Sequence, residues 1–130
     1  MLKVNSNNYH QKFAERLAKR ICRIEGILPI TIEVKQIRRG GRACLQTRYI
    51  SIPLWANRTK EYFVYYVIHE LTHFILPYHG HNKIFKLREQ AICKRYDITI
   101  SYKKAYPKFL YQYKTGKVLC GQRGEAVSQA

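Results

Sequence analysis

Apolar residues recur at helical spacing in three stretches of the chain, and the first of these stretches covers residues 8–25. Asn8 stands where an N-cap residue is expected, Gln11 follows three positions later as in a capping box, and Gly26 follows the last turn. We therefore predict a first helix over residues 8–25. Its predicted apolar stripe consists of Phe13, Leu17, Ile21 and Ile24.

Two β-strands are predicted after this helix, over residues 30–34 and 49–54, from their β-branched and alternating residues. Gly40 and Gly41 mark a turn in the segment between the two strands. Because proline cannot donate a hydrogen bond to a neighbouring strand, Pro53 indicates that the second strand ends there or lies at a sheet edge.

The second helical stretch is apolar on nearly every side. Four residues between positions 62 and 76 are neither apolar nor aromatic, namely His69, Glu70, Thr72 and His73. We predict a helix that begins after Asn57 or Thr59 and runs to Leu76, because Pro77 cannot continue it. A helix of this composition is usually buried, and an ionised glutamate in a core costs several kcal/mol unless a partner compensates its charge.

The third helical stretch covers residues 82–96, and a short strand is predicted over residues 98–102. The core positions predicted for this helix are Ile84, Leu87, Ala91 and Ile92. Beyond residue 106 the pattern weakens, although residues 109–119 favour a small hairpin and residues 121–130 are expected to be disordered.

The elements therefore predict one α+β domain over residues 1–106 and a C-terminal segment over residues 107–130. The chain has 130 residues, 46% of them hydrophobic, which is enough for one core.

No apolar run approaches the ~20 residues of a membrane span, and the polar residues 1–10 do not resemble a signal peptide, so we expect a soluble cytoplasmic protein. The four cysteines form no C-x-x-C pair, which indicates reduced thiols rather than disulfides or a zinc ribbon.

An H-E-x-x-H pattern is formed by His69, Glu70 and His73. Residues four apart lie on the same side of a helix, one turn apart, so both imidazoles can reach one ion. Neutral imidazoles suit Zn²⁺, and a glutamate beside the ion can take the proton from a metal-bound water. The pattern therefore predicts a zinc site with Glu70 as the base. The alternative is that the pattern arose by chance and that backbone carbonyls satisfy two core histidines.

A catalytic zinc ion needs a third protein ligand and one position open to water, and His79 and His81 are the candidates. His79 follows His73 by six residues, as in metzincins, but Leu76 stands where metzincins have a glycine. His81 precedes Phe85 by four residues, so Phe85 can pack in the core while His81 faces the ion. The spacing favours His81.

The formal charge of +16, from 24 lysines and arginines against 8 aspartates and glutamates, predicts a polyanionic partner. Nucleic acid is the first candidate, and the charge does not distinguish DNA from RNA. A basic row beside the apolar stripe of the first helix can follow a phosphate backbone or simply face the solvent. The predicted contacts are Lys12, Arg16, Lys19 and Arg23 in this row, and Arg38, Arg39 and Arg42 around the double glycine.

The residues between His69 and Phe85 resemble the SprT-like family of zinc metallopeptidases. That family has H-E-L-x-H, a variable loop and then a histidine followed four residues later by a phenylalanine. This chain has the same order in residues 69–73, His81 and Phe85. Residues 41–54 resemble the glycine-containing turn and the strand that precede the metal helix in the family, so the similarity covers about residues 28–95.

The resemblance implies a zincin-like minimal metallopeptidase domain with an N-terminal helix, a small mixed sheet, the H-E-x-x-H helix and a following helix. It implies that His69, His73 and His81 bind Zn²⁺ and that Glu70 is the catalytic base. Protein substrates would then bind as an added strand along a sheet edge. In the C-terminal segment, the single Cys120 is consistent with a remnant of the zinc ribbon that many family members carry.

Some SprT-like proteins are DNA-dependent proteases that digest proteins crosslinked to DNA. The resemblance therefore also implies a part in DNA repair on single-stranded or non-specifically bound DNA, and the charge of +16 supports it independently.

Two other functions stay open from the sequence. The first is a nucleic-acid-binding module with a structural zinc site, which would need a fourth protein ligand such as His79. The second is a metal-dependent hydrolase of nucleotides, since the YgjP-type metallohydrolases share the metal helix, the strand and the loop. The substrate, the residue that stabilises the oxyanion and the oligomeric state are not determined by the sequence.

Overall fold

The computed structural model describes residues 2–100, with side chains from residue 9 onward. This part of the chain is an α+β arrangement of three α-helices and a three-stranded sheet. In chain order the elements are α1 (Leu2–Glu25), β1 (Thr31–Lys35), β2 (Arg42–Cys44), β3 (Tyr49–Pro53), a 3₁₀ helix (Leu54–Arg58), α2 (Lys60–Ile75) and α3 (Lys83–Arg95). Within the described residues, the helices are all too short or too polar to cross a membrane.

Helix α1 begins at Leu2 rather than at residue 8, so the prediction that Asn8 caps the helix is wrong. Residues 2–7 contain no glycine or proline that would interrupt a helix. The side chain of Gln11 bonds β1 instead of the helix end. Its Nε2 donates to Ile32 O over 2.8 Å, and Val34 N donates to its Oε1 over 2.7 Å. Gln11 therefore occupies the outer edge of β1.

The buried face of α1 differs from the predicted stripe at its last turn. The residues that this helix buries are Ala14, Leu17, Ala18, Ile21 and Cys22. Ile24 is 52% exposed, because the face continues at Glu25 instead. The Glu25 carboxylate is nearly buried, and it pairs with Arg88 and Arg95 of α3. At the last turn of α1, the residue that faces α3 is therefore Glu25 rather than the predicted Ile24.

Strand β3 lies in the centre of the sheet, in the order β1-β3-β2. β1 pairs with β3 in parallel and β2 pairs with β3 antiparallel, so the sheet is mixed. The prediction that the second strand ends at Pro53 is confirmed, whereas the prediction that it lies at an edge is wrong. β2 was not foreseen, because three residues are too few to show an alternating pattern.

The double glycine leads directly into β2, and only glycine fits at position 41. A Cβ atom on Gly41 would lie 2.2 Å from Ser51 O and 3.1 Å from the Tyr66 ring. This close approach lets Gly41 N donate to Tyr66 Oη over 2.7 Å. The start of β2 is thereby fixed against α2, one turn before His69.

Helix α2 is the centre of the core. Thr59 caps it by accepting a hydrogen bond from Tyr62 N over 3.0 Å, as predicted, and Leu76 is its C-cap. Every residue from Tyr62 to Phe74 is buried. The expected burial of this helix is therefore confirmed, and its polar residues lie in a nearly dry environment.

Helix α3 turns a different face to the core than predicted. Ile92 is buried, but Ile84 and Leu87 are 54% and 56% exposed, and Ala91 is exposed. The buried residues of α3 are Phe85, Glu89, Ile92 and Cys93. The apolar pattern indicated the wrong face because Glu89, which is acidic, is one of the residues on the buried face.

Residues 98–100 do not form the predicted strand. Ile98 N donates to Cys93 O over 3.0 Å and ends helix α3, and both the backbone N and the Oγ1 of Thr99 donate to Glu61 Oε2. These groups are therefore bonded to helices rather than to a neighbouring strand. The rest of that strand, the predicted hairpin over residues 109–119 and the predicted disorder of residues 121–130 lie outside the described residues.

Candidate metal centre

The structure brings three histidines of the sequence pattern together. The candidate ligand atoms of His69, His73 and His81 all lie within 4.8 Å of one another. Nε2 of His73 and Nε2 of His81 are 3.2 Å apart. Two nitrogen ligands at ~2.1 Å from a tetrahedral ion lie about 3.4 Å apart, so this spacing suits a zinc-sized ion.

Phe85 supports all three imidazole rings from one side. Its ring centroid lies 5.3 Å from that of His69, 4.7 Å from that of His73 and 5.1 Å from that of His81. Phe85 is fully buried, which confirms the prediction that it packs in the core. The rings are therefore held by packing before any ion binds.

The loop between α2 and α3 returns His81 to the helix that carries the other two histidines. Gly80 has a positive φ of 59°, which glycine adopts without strain. Asn82 then caps α3, because its Oδ1 accepts a hydrogen bond from Phe85 N over 2.9 Å. His81 stands directly before this cap, so the start of α3 fixes its position. His79 bonds the Asn82 side chain at 3.2 Å and does not join the histidine cluster.

Burial makes two of these histidines neutral at physiological pH. It lowers the pKa of His73 well below its usual value, and the nearby His69 and His81 lower it further. Burial likewise lowers the pKa of His81 to about 3, with smaller contributions from His69 and Lys86. Neutral imidazoles carry the free lone pair that a metal ion requires.

His69 differs from the other two because it faces carboxylates. Burial alone would lower its pKa, but the negative charge and hydrogen bond of Glu89, together with the charge of Glu70, raise the pKa of His69. The bond to Glu89 engages Nδ1, which leaves Nε2 as the ligand atom. Glu70 is fully buried and follows His69 directly in α2.

Glu89 is the site residue that the sequence did not reveal. It is 1% exposed, its Oε2 lies 2.5 Å from His69 Nδ1, and its Oε1 accepts a hydrogen bond from Tyr65 Oη over 3.0 Å. One signal was available: Glu89 follows Phe85 by four residues, so it lies on the same side of α3. An acidic residue on the side of a helix that carries a core aromatic residue indicates a buried polar partner.

Among the residues that the structure describes, no fourth histidine, cysteine, aspartate or glutamate joins His69, His73 and His81. Three imidazole nitrogens are a donor set that a metal ion can take while it keeps a fourth coordination position for water. The residues present therefore fit a metal ion, and the chemistry of the donors favours zinc over hard cations such as Mg²⁺ or Ca²⁺.

The predicted nucleic-acid contacts all lie on the surface, in two separate segments. Trp55 Nε1 donates to Arg38 O over 3.1 Å and to Arg39 O over 3.3 Å, which fixes the backbone of the second segment. The exposed residues are Lys12, Arg16, Lys19 and Arg23 on α1, and Arg38, Arg39 and Arg42 beside the double glycine. Arg16 of the α1 row also lines a cavity of about 820 Å³, whose other charged residues are Arg20, Lys60, Glu61 and Asp97.

The fold is similar to the crystal structure of the metallopeptidase zymogen of Pyrococcus abyssi abylysin, with a TM-score of 0.53 and 18% sequence identity. The alignment covers 82% of this chain and 98% of that chain. No protein-family model matches the sequence, and no curated protein sequence does. At this identity the likeness concerns the fold, and it agrees with the predicted α+β class of helices around a small mixed sheet.

Proposed function

We propose that this protein is a zinc-dependent peptidase of the SprT-like type. The observation that carries the proposal is the cluster of His69, His73 and His81, whose ligand atoms lie within 4.8 Å of one another next to the buried Glu70. The likeness in fold to a metallopeptidase zymogen supports peptide hydrolysis as the reaction. The sequence pattern around His81 and Phe85 supports the SprT-like assignment.

In the proposed mechanism, His69, His73 and His81 hold the ion, and Phe85 keeps their rings in place. A zinc ion bound by these residues would lower the pKa of a water molecule and would polarise the scissile carbonyl. Glu70 takes the proton of the attacking water and then gives it to the leaving amine.

The open edge of the sheet is the proposed binding site for the substrate. Gln11 occupies the outer edge of β1, whereas β2 has no further strand on its outer side in the described part of the chain. The bond between Gly41 N and Tyr66 Oη holds β2 beside α2. An extended peptide that pairs with β2 would therefore run along the helix that carries His69 and His73.

Chelation tests the proposed activity directly. The full chain, incubated with an unstructured protein such as casein, is expected to cleave it, to lose this activity with a zinc chelator and to regain it when zinc is added back. Fragments are followed by gel electrophoresis and mass spectrometry. Cleavage that continues unchanged in excess chelator would show that no metal ion takes part. Zinc binding without any cleavage would instead favour the structural zinc module.

We further propose DNA as the partner that brings protein substrates to the enzyme. The basic row on α1 is exposed and follows one side of the helix, as contact with a phosphate backbone requires. Its residues are spread along the helix rather than gathered at base edges, so binding is expected to be electrostatic and non-specific.

Replacing Lys12, Arg16, Lys19 and Arg23 together by Gln is expected to weaken binding to single-stranded DNA and to lower its salt dependence. Each phosphate contact contributes about 0.7 to the slope of log affinity against log salt, so the slope should fall by roughly 2 to 3. Fluorescence anisotropy at several salt concentrations measures this slope. The control replaces Lys35, Lys83, Lys86 and Lys94, which removes the same charge elsewhere. Equal slopes for the two variants would exclude α1 as the contact face.

A further inference from the structure

Glu89 and Tyr65 form a buried chain of hydrogen bonds behind the metal centre. Both carboxylate oxygens of Glu89 are engaged, Oε2 with His69 Nδ1 at 2.5 Å and Oε1 with Tyr65 Oη at 3.0 Å. We propose that Glu89 is a positioning residue that orients His69 and raises the affinity of the centre for its metal ion. The inference rests on the proposed function only in that it requires a metal ion at the three imidazoles.

Glu89 determines which ring nitrogen of a neutral His69 carries the proton. A carboxylate accepts hydrogen bonds but cannot donate them, so the proton of a neutral His69 ring stays on Nδ1. The lone pair is then on Nε2, where the ligand atom belongs. Without Glu89, the neutral ring would exchange between two tautomers, and only one of them can bind the ion. Glu89 therefore selects the form of His69 that binds metal.

Glu89 and Tyr65 together fix the orientation of the His69 ring. Tyr65 lies one turn before His69 on the same side of α2, and its hydroxyl holds the second oxygen of Glu89. The carboxylate thus has two fixed partners and cannot rotate away from the imidazole. The His69 and Phe85 rings are 5.3 Å apart, so packing also restrains the imidazole.

The carboxylates of Glu70 and Glu89 also affect the charge of the metal centre. Glu70 and Glu89 are both buried, and a pair of buried carboxylates is costly unless a positive charge accompanies them. A divalent cation bound by three neutral imidazoles would balance two carboxylates. Glu89 therefore favours the metal-bound state over a metal-free state in which His69 is neutral, in addition to its bond with His69. Its effect should appear in metal affinity even where the fold is intact.

Helix α3 connects this network to the third ligand. Asn82 caps the helix next to His81, Phe85 packs on all three rings, and Glu89 follows one turn later on the same side. A single helix therefore fixes one ligand by its start and another by a carboxylate from its middle. The helix that places His81 therefore also places the Glu89 carboxylate against His69, which favours a common role in holding the metal ligands.

Glu89→Gln is the test variant, because it keeps the size of the side chain and removes its charge. Competition with a fluorescent chelator should show that Zn²⁺ affinity falls about 10- to 100-fold. With Co²⁺ in place of zinc, the visible absorption bands should shift, since they report the geometry around the ion. Tyr65→Phe should lower the affinity less, because His69 keeps its bond to Glu89.

Glu25→Gln is the matched control. Its carboxylate is also nearly buried and also bonds α3, through Arg88 and Arg95, but no bond joins it to a metal ligand. It should destabilise the metal-free fold while leaving Zn²⁺ affinity and the Co²⁺ spectrum unchanged. If Glu89→Gln behaves as this control does, the positioning role is overturned.

The other outcomes separate the two claims. Failure of the unaltered protein to bind Zn²⁺ or Co²⁺ would overturn the proposed function, and the role of Glu89 would fall with it. Normal metal binding by the unaltered protein and by Glu89→Gln alike would overturn the inference and leave the proposed function standing. If Glu89→Gln does not fold, Tyr65→Phe decides: a reduced affinity supports the network, and an unchanged affinity overturns it.

Discussion

Glu70→Gln is expected to lower the rate of peptide cleavage about 100-fold or more, while the protein keeps its metal ion. Glutamine has nearly the same size as glutamate and fits the buried position in α2, but it cannot accept a proton from the attacking water. The loss should appear in kcat, since proton transfer belongs to the chemical step rather than to substrate binding. Cleavage of an internally quenched peptide and zinc analysis of the same sample measure both quantities.

The matched control for this variant is Glu61→Gln, which makes the same change in the first turn of the same helix. Glu61 accepts hydrogen bonds from Thr99 and lies about two turns before His69 on α2. It should therefore leave the rate of cleavage nearly unchanged. Equal activity of Glu70→Gln and the unaltered protein would contradict the role of Glu70 as the base. Loss of the metal ion in Glu70→Gln would make Glu70 part of the metal site itself.

His69→Ala and His73→Ala are each expected to abolish metal binding under conditions in which the unaltered protein is saturated. Removing a ligand should cost more than the about 10- to 100-fold loss expected when a group behind a ligand is removed. The metal-free variants should also unfold at a lower temperature than the zinc-bound protein, because a bound ion stabilises the folded state. Elemental analysis and thermal unfolding with and without zinc measure these effects.

The control for the ligand variants is His79→Ala, which lies in the same loop as His81. His79 bonds Asn82 and lies apart from the cluster, so this variant should keep its zinc, whereas His81→Ala should lose it. A larger loss in His79→Ala than in His81→Ala would contradict the ligand set. It would also revive the metzincin-like spacing that ends at His79.

The sequence predicted the cluster of His69, His73 and His81 as far as local spacing carries the information. His69 and His73 are one turn apart on a helix, so their common side follows from helix geometry alone. His81 was harder, because a loop separates it from α2, and the spacing to Phe85 supplied the signal. Glu89 lies on a different helix from His69, and the contact between them depends on how α2 and α3 pack, which no local pattern encodes.

The fold was predictable where an element is long or strongly apolar, as in α2. Strand β2 escaped detection because it has three residues and owes its place to the close approach of Gly41 to Tyr66. The start of α1 was misplaced because Asn8 and Gln11 match a capping motif, whereas the helix already begins at Leu2. Gln11 instead bonds β1, a contact between residues more than twenty positions apart in the chain. In each case a tertiary contact overrode a local preference.

In the proposed metal centre, His69, His73 and His81 bind one zinc ion that keeps a coordination position open to water. A crystal structure of the zinc-bound protein, with anomalous diffraction recorded on both sides of the zinc absorption edge, tests it most directly. We expect a single anomalous peak about 2.1 Å from one nitrogen of each of the three histidines, with no fourth protein ligand. A peak with His79 or another protein group as a fourth ligand would contradict it and would identify the zinc site as structural.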